Sequence, residues 1–390
     1  MVTFKLALRN LLGAGLRTWL NVIVLSMSYV MIIMSQGIIR GWDKQATRDT
    51  IDWEIGGGQY WHQAYDPFDP FTITDSHGVP SESMQDKIQG GELTPILVSQ
   101  ATIYPEGRIQ SVFLKGIDPQ QKILSIPTES LTADINEIPA VIGTRMAKNT
   151  KLDVGDFVTV RWRDVNETFD AAEMKIVGMM KTTVGNIDMG QIWIPITRLQ
   201  EMLQMPGEAT LMVSGKESTT QETEEGWVFK DQDFLLMDLK AVIQSKLIGQ
   251  SIFYVILLFL AMLAIFDTQI FAIFRRRKEI GTLIALGMTR NRVIRLFTME
   301  GAIHGVLAAL MSAVWGFPLL AWLASTGWAM PQAADDFGMS IAEKIYPYYS
   351  VGLVLGTTFI VMTAVTIVSF LPTRRIAKLK PTDAIRGKTS

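Results

Sequence analysis

The sequence has no cysteine, and its three histidines, His62, His77 and His304, show no spacing typical of metal ligands. Without cysteine, the chain has no disulfide bond, no thiol nucleophile and no cysteine-ligated metal site. A phosphate-binding loop requires a glycine, four further residues and then Gly-Lys-Ser/Thr. The segment Gly387-Lys388-Thr389 has Thr382 where that first glycine is required. We therefore expect no catalytic site, no bound metal or cofactor, and no ATP hydrolysis by this chain alone.

Four long apolar blocks are the main positive feature of the sequence. They cover residues 18–39, 247–274, 301–328 and 350–371. Because a helix rises about 1.5 Å per residue, roughly 20 apolar residues cross a bilayer core of about 30 Å. The sequence therefore predicts four transmembrane helices.

Basic residues collect beside these blocks and predict their orientation. Between residues 40 and 246 there are 19 basic and 31 acidic residues, whereas the amino-terminal segment, the segment between the second and third blocks, and the tail are strongly basic. Lysine and arginine are retained on the cytoplasmic side of a membrane. We therefore expect both termini in the cytoplasm and the large domain outside. The basic residues of the flanking segments are Lys5, Arg9, Arg17, Arg275, Arg276, Arg277, Lys278, Arg290, Arg292, Arg295, Arg374, Arg375, Lys378, Lys380, Arg386 and Lys388.

The predicted organisation has nine segments. They are a cytoplasmic amphipathic helix (1–17), a first transmembrane helix (18–40), an extracytoplasmic domain (41–245), a second transmembrane helix (246–275), a cytoplasmic coupling loop (276–299), a third transmembrane helix (300–328), a short outer loop (329–348), a fourth transmembrane helix (349–372) and a cytoplasmic tail (373–390).

The large outer segment has the mixed pattern of an α+β domain, which we interpret as two lobes. Strands are predicted at residues 157–162, 174–180 and 191–196, and short helices at 139–149 and 196–205. An acidic connector is predicted at residues 218–226. The fold class is therefore a four-helix membrane domain plus a large extracytoplasmic α+β domain.

The segment from Arg275 to Met288 is the first candidate site. Its charges come first, an apolar stripe follows, and Gly287 can end a helix. This pattern is typical of a short amphipathic helix that binds a cytosolic partner, although a helix that only lies on the membrane has the same pattern. The candidate coupling residues are Arg277, Lys278, Glu279, Ile280, Gly281, Leu283, Ala285, Leu286, Gly287 and Met288.

Asp267, the one charged residue inside the second block, is the second candidate. A charged side chain at the bilayer centre costs roughly 2.5–3.5 kcal/mol. We expect Asp267 to pair with a neighbouring helix or a basic side chain; a role in gating or proton movement is the alternative.

Three motifs resemble the FtsX/MacB/LolC–LolE superfamily of ABC transporter permeases. They are Leu6–Thr18 at the amino terminus, Arg276–Gly301 around the third block, and Leu371–Arg386 in the tail. They stand in the family's order around four spans, so the resemblance covers nearly the whole chain. The outer segment is similar to the lipoprotein-releasing LolC/LolE branch at residues 115–119, 141–143, 152–156 and 177–189, which implies a MacB-like periplasmic domain. The family usually has asparagine where this chain has Asp267.

The resemblance implies a set of partners in the inner membrane of a bacterium. Two permease chains, identical or different, pair above two cytosolic ATPase subunits, which bind the ATP and Mg²⁺. Nucleotide-driven motion then reaches the periplasmic domains, where a carrier or adaptor protein acts. Membrane lipid and a lipoprotein or another amphiphile are the remaining partners, and no nucleic acid is implied.

Three functions remain open within this family. Lipoprotein extraction is favoured. The alternatives are an efflux permease of a tripartite pump and an FtsX-like mechanotransmitter, although the outer domain of the latter is usually shorter. In lipoprotein extraction, a lipid-anchored protein enters between the first two spans and contacts apolar residues there. Ordinary helix packing explains those apolar residues equally well. The candidate cavity residues are Met27, Met31, Met34, Phe253, Ile256 and Leu257.

Overall fold

The structure is a computed structural model that describes residues 16–133, 136–182, 185–216, 224–329 and 344–376. Its contacts divide the chain into two compact units. One unit contains long helices, and the other, Asp43–Val242, contains a large β-sheet. The helices are α1 (Leu16–Thr50), α2 (Glu82–Gln89), α3 (Thr144–Thr150), α4 (Gly185–Gly190), α5 (Ile196–Leu203), α6 (Gln232–Leu235), α7 (Met237–Arg275), α8 (Arg277–Ala285), α9 (Arg290–Thr326) and α10 (Val351–Ile376).

Four of these helices, α1, α7, α9 and α10, are long and apolar enough to cross a membrane. All four extend beyond the predicted span at one end or both, because the helix continues into charged sequence. Helix α1 has 35 residues and then a π-helical turn at Ile51–Ile55. Helix α9 begins at Arg290 rather than near residue 300. A predicted span locates the apolar part of such a helix and not its ends.

Small residues allow close contact between the long helices. A Cβ atom added to Gly301 in α9 would lie 2.0 Å from the Oγ of Ser369 in α10. One added to Gly316 would lie 2.5 Å from a methyl group of Val30 in α1. Helix interfaces in membranes are typically built on small residues of this kind. Buried residues of all four helices form the core of this unit: Val22, Leu25, Tyr29, Ile32, Ala261, Ile265, Ala308, Val361 and Val365.

The second unit, which we call the sheet domain, is built on one nine-stranded sheet. Strands β2, β3, β7, β4, β6 and β5 pair in that order, and β5 pairs back to β2, so six strands close into a ring. Strands β8, β1 and β9 extend the sheet from β2. The strands are β1 (Gly58–His62), β2 (Leu93–Ile103), β3 (Gln110–Ile117), β4 (Ile138–Gly143), β5 (Phe157–Arg163), β6 (Phe169–Met180), β7 (Gln191–Pro195), β8 (Leu211–Ser214) and β9 (Trp227–Lys230).

The sheet domain has separate cores on the two sides of these strands. Alternate residues of the six strands that close into a ring, such as Leu97, Leu114 and Ile176, pack together with α3 and α5. Residues of opposite parity, including Val98 and Trp193, pack under the intervening loops. A smaller core lies beside the extension. The two expected lobes therefore share β2 within one sheet.

Several predicted elements are confirmed, and one is wrong. Strands β5, β6 and β7 and helix α5 lie where the sequence predicted them. The helix predicted over residues 139–149 is instead β4 followed by the shorter α3. All six residues of β4 are buried, and it pairs in parallel with β6. A strand buried on both faces has a continuous apolar run, which periodicity cannot distinguish from a buried helix.

Four predicted segments fall largely outside the described residues. They are the amphipathic helix at residues 1–17, the acidic connector at 218–226, the short outer loop at 329–348, and the tail at 373–390.

Candidate coupling site

Helix α8 is held between two long helices by short connections. It follows α7 after Arg276, and it ends at a turn that leads into α9. Gly287 has a φ of +93° in that turn, which glycine adopts without a steric penalty. Its N–H donates to the carbonyl of Ile284 at 3.0 Å. The predicted end of the amphipathic helix at Gly287 lies within two residues of the observed end.

Arg276 connects α8 to α9 through two carboxylates. Its Nε donates to Oε2 of Glu279 at 2.8 Å, and its Nη1 donates to both oxygens of Glu300 at 3.1 and 3.2 Å. The guanidinium also lies 5.2 Å from the ring centroid of Phe297. Burial lowers the pKa of Arg276, but its bonds to Glu279 and Glu300 outweigh this, so the pKa is raised. The arginine therefore stays charged, and it fixes the first turn of α8 against α9.

Apolar packing holds the same contact from the other face of α8. Ile280 is fully buried and packs with Ile273 of α7 and with Val293 and Phe297 of α9. Ile284 and Met288 are partly buried against this cluster. Displacing α8 would therefore break both an ion network and an apolar core. Movement applied to α8 must pass to α7 and α9 or disrupt that contact.

The predicted coupling residues divide into an inner and an outer group. Ile280 and Gly281 are buried, so they hold α8 in place and cannot contact a partner directly. Leu286 is 80% exposed, an unusual state for a leucine at the end of a well-packed helix. The backbone positions of Arg277 and Leu283 are described, but their side chains are not. The exposed members are Lys278, Glu279, Ala285, Leu286 and Gly287, and Met288 is half-buried.

Asp267, the second candidate site, lies on the exposed side of α7. It is exposed, and among the described residues it forms no hydrogen bond or ion pair. The buried face of α7 runs through Ala261, Ile265, Gln269 and Ile273. Position 267 lies roughly opposite that face, because two helical residues turn the side chain by about 200°. The described residues supply no partner, so pairing with a neighbouring helix or a basic side chain stays a prediction, and the carboxylate points away from the buried face of α7.

The predicted cavity residues are largely exposed on α1 and α7. Met27 and Met31 are exposed and Met34 is half-buried, while Phe253 and Ile256 are exposed and Leu257 is half-buried. Ser35 of α1 and Gln250 of α7 are hydrogen-bonded near these positions. Apolar side chains on α1 and α7, two helices joined by this hydrogen bond, are therefore available to contact lipid or another partner.

The sequence did not predict that His62 and His77 lie near each other in the sheet domain. His77 is hydrogen-bonded to Glu208, which lies 131 positions away, and His62 lies nearby. Burial lowers the pKa of His62, the charge of His77 lowers it further, and Glu208 opposes the shift. No group of three or more metal-ligating side chains occurs in the described part of the chain. No local signal could have revealed a contact across so many residues.

Comparisons with known proteins agree with the motifs around α8. Residues 251–381 match the family described as FtsX-like permease C-terminal. The chain is 21% identical to the lipoprotein-releasing system transmembrane protein LolC of Xylella fastidiosa over 344 residues, which are 80% of each chain. It is 24% identical to an uncharacterized ABC transporter permease of Methanocaldococcus jannaschii, over 65% of this chain and 64% of that one.

Two further matches cover different parts of the sequence. The macrolide export ATP-binding/permease protein MacB of Neisseria meningitidis is 24% identical over 238 residues, 56% of this chain. That match spans only 34% of the length of MacB. The crystal structure of the extracellular domain of the noncanonic ABC-type transporter YknZ from Gram-positive bacteria matches 45% of this chain and 99% of that domain. Its sequence identity is 12%, and the TM-score is 0.29.

Proposed function

We propose that this chain, a member of the FtsX/MacB/LolC superfamily of ABC transporter permeases, is a non-catalytic permease subunit. In this role it converts ATP hydrolysis by a separate cytosolic ATPase into movement of its sheet domain. ATP and Mg²⁺ are bound by that ATPase and not by this chain. The observation that carries the proposal is the double attachment of α8 through Arg276 and Ile280. A helix fixed in this way transmits movement of the ATPase to the long helices α7 and α9.

The exposed surface of α8 is the proposed contact with the ATPase. Lys278, Glu279, Ala285 and Leu286 are all exposed on this one short helix and the turn that follows it. A protruding leucine among charged residues suits an apolar pocket with a polar rim, the usual composition of a protein interface.

The distribution of basic residues supports the proposed membrane topology. Clusters beside all four apolar helices favour a cytoplasmic location for both termini and for α8. The sheet domain then lies outside the cytoplasm, in the periplasm if the cell has one, and the helices lie in the inner membrane. We further propose that two permease chains assemble above an ATPase dimer.

Lipoprotein extraction is the transport reaction that we favour. The LolC match covers four fifths of both chains, so it includes the sheet domain as well as the helices. The exposed Met27, Met31, Phe253 and Ile256 would contact the lipid anchor along α1 and α7. Methionine adapts its shape easily to acyl chains of varied packing. The extracted lipoprotein would then pass to a soluble carrier.

Drug efflux is the second candidate, because the MacB relative is slightly more identical over the region that it matches. In that case the exposed apolar residues would serve a small amphiphile, and an adaptor protein would replace the carrier.

The docking surface is tested by an exposed substitution that disturbs no internal contact. Ala285→Arg places a charge on the proposed interface, whereas Glu279→Lys would also break the bond to Arg276. We expect Ala285→Arg to abolish the stimulation of ATP hydrolysis by the reconstituted permease. Ala64→Arg, at an exposed position in the sheet domain, is the matched control and should leave the stimulation intact. Equal stimulation by both variants would refute the docking proposal.

The cargo is tested by reconstitution of the permease and its co-encoded ATPase in proteoliposomes. We expect a triacylated lipoprotein to be released to a soluble acceptor in an ATP-dependent manner. If the ATPase is active and no lipoprotein is released while a macrolide is transported, efflux replaces extraction as the function. Failure of this assay leaves the Ala285→Arg result interpretable, since that experiment measures only ATP hydrolysis.

A further inference from the structure

A cavity of about 390 Å³ lies within the sheet domain. Its lining comes from the π-helical turn that follows α1, from β1 and the loop after it, from β3 and β7, and from α6 and the start of α7. Small-molecule sites are usually pockets of about 300–1,000 Å³ with apolar walls and a few polar groups. The residues on which the inference depends are Glu54, Trp61, Tyr65, Lys115, Trp193 and Phe234.

Three aromatic rings form one wall of this cavity. The Trp61 ring packs edge-on against Tyr65 at 5.2 Å and against Phe234 at 6.0 Å between centroids. The face of an aromatic ring carries partial negative charge and attracts cations. Two of these rings already hold an ammonium group, because Nζ of Lys230 lies 4.3 Å from the Phe234 centroid and 5.7 Å from the Trp61 centroid.

Two carboxylates line the cavity, those of Glu54 and Asp238, and Glu54 is held beside Lys115. Nζ of Lys115 bonds to Oε1 of Glu54 at 2.9 Å, and Nε2 of Gln191 donates to the same oxygen at 3.2 Å. The Lys115 side chain is only 10% exposed, whereas that of Glu54 is 30% exposed. Among the described residues, both side-chain bonds of Glu54 go to Oε1, which leaves Oε2 available. Burial raises the pKa of Tyr65, and the negative charges of Glu54 and Asp66 raise it further, as expected for a negative potential at this wall.

Gln191 binds Glu54 but is not among the residues that line the cavity. Its Oε1 is buried and has no hydrogen-bond partner among the described residues. Buried polar atoms are almost always paired with protein, water or a ligand. Because its amide nitrogen binds Glu54, the free carbonyl lies close to the same carboxylate. Nε1 of Trp193 is likewise buried and has no hydrogen-bond partner in the described part of the chain.

We propose that this cavity binds a protonated amine with an apolar or aromatic body. The N–H groups of the amine donate to Oε2 of Glu54, and its body packs against Trp61, Tyr65 and Phe234. A quaternary ammonium lacks those N–H groups, and an anion would be repelled by the free carboxylate oxygen. The inference does not depend on whether the permease extracts lipoproteins or exports drugs.

A ligand at this position would bridge segments that are distant in sequence. Glu54 lies in the turn directly after α1, and Phe234 lies in α6, just before α7 begins. Gln232 of α6 already donates to the carbonyl of Gly56 at 2.6 Å. Binding would therefore stabilise the part of the sheet domain from which two long helices continue along the chain, and so offers a point for regulation.

The test uses the full chain in lipid nanodiscs, with empty nanodiscs as the reference for lipid partitioning. Phenethylamine is the probe, and 3-phenylpropionate is an anion of similar size and shape. We expect calorimetry to show saturable binding of phenethylamine and none of 3-phenylpropionate. Equal binding of the two compounds, or no saturable binding of the amine, would overturn the proposal and leave a cavity that holds only water.

Substitutions locate the binding site within the chain. Phe234→Leu keeps an apolar wall but removes one ring, and we expect affinity to fall about threefold to tenfold. Phe157→Leu is the matched control, because Phe157 is an exposed ring with a lysine, Lys175, 5.4 Å from its centroid outside the cavity. Glu54→Gln should weaken binding more than tenfold. Unchanged affinity in Phe234→Leu, or an equal loss in Phe157→Leu, would contradict the assignment even if Glu54→Gln fails to fold.

Discussion

Two charged residues near the end of helix α7, Asp267 and Arg276, are in opposite states. Arg276 has two carboxylate partners and an aromatic ring, all supplied by its own chain. Asp267 is exposed and has none of these among the described residues. Arg276 thus joins two helices, whereas Asp267 is exposed and has no charged partner in the part of the chain that the structure describes.

This difference indicates which surfaces of the chain already have their binding partners and which require another molecule. A carboxylate that faces lipid is costly, and charged residues within membrane spans usually face protein or water. We therefore expect the Asp267 side of α7 to meet another protein chain or a water-filled space, whereas the junction of α8 and α9 needs no addition. The next three predictions concern the stability of the isolated chain, from the largest effect to the smallest.

Glu300→Gln should be the most damaging of the three substitutions. Glu300 is buried, and its loss leaves the partly buried Arg276 with only the exposed Glu279 as a charged partner. We expect a loss of about 2 kcal/mol, below the range for fully buried pairs because Arg276 is partly solvated. Thermal unfolding in nanodiscs measures it. Glu201→Gln, which disrupts an exposed pair with Arg198, is the control; an equal melting temperature in the two variants would contradict the structural role of Glu300.

Glu279→Gln should have a much smaller effect on unfolding. Its side chain is 64% exposed, and exposed ion pairs contribute about 0–1 kcal/mol. We expect near-normal melting but weaker stimulation of ATP hydrolysis, because Glu279 also lies on the proposed docking surface. A melting temperature as low as that of Glu300→Gln would show that the two carboxylates are equally structural.

Asp267→Asn should not change the melting temperature of the isolated chain, since Asp267 has no partner among the described residues. If another permease chain supplies the partner, association of the two chains should weaken about tenfold, as expected for the loss of roughly 1.4 kcal/mol. Mass photometry of the assembled complex measures this. A clear destabilisation of the isolated chain would mean that Asp267 has an internal role that its exposure does not indicate.

The sequence predicted local features well because local rules govern them. The long apolar runs predicted all four apolar helices, and the alternation in Phe157–Arg163 predicted β5. It failed at Ile138–Gly143, where an apolar run gives no period to distinguish strand from helix. It also placed the end of α1 at residue 40, because a charge ends an apolar block without ending a helix.

Contacts between distant residues were not predictable in the same way. Arg276 and Glu300 both belong to motifs that the sequence had singled out, but their pairing depends on how α8 folds back on α9. The burial of Ile280 follows from the same packing. The apolar stripe that suggested one docking surface therefore divides into buried residues such as Ile280 and exposed residues such as Leu286. The carboxylate of Glu54 meets Lys115 across 61 positions, and no periodicity signals such a contact.

The central claim is that nucleotide-driven movement enters at α8 and reaches the sheet domain. Because the chain has no cysteine, Val154→Cys and Ser325→Cys introduce the only two thiols for spin labels, one in the sheet domain and one near the end of α9. With the ATPase bound, we predict that a non-hydrolysable ATP analogue shifts the distance distribution between the labels, and that Glu300→Gln removes the shift. An unchanged distribution in the parent complex, or an equal shift in Glu300→Gln, would contradict the claim.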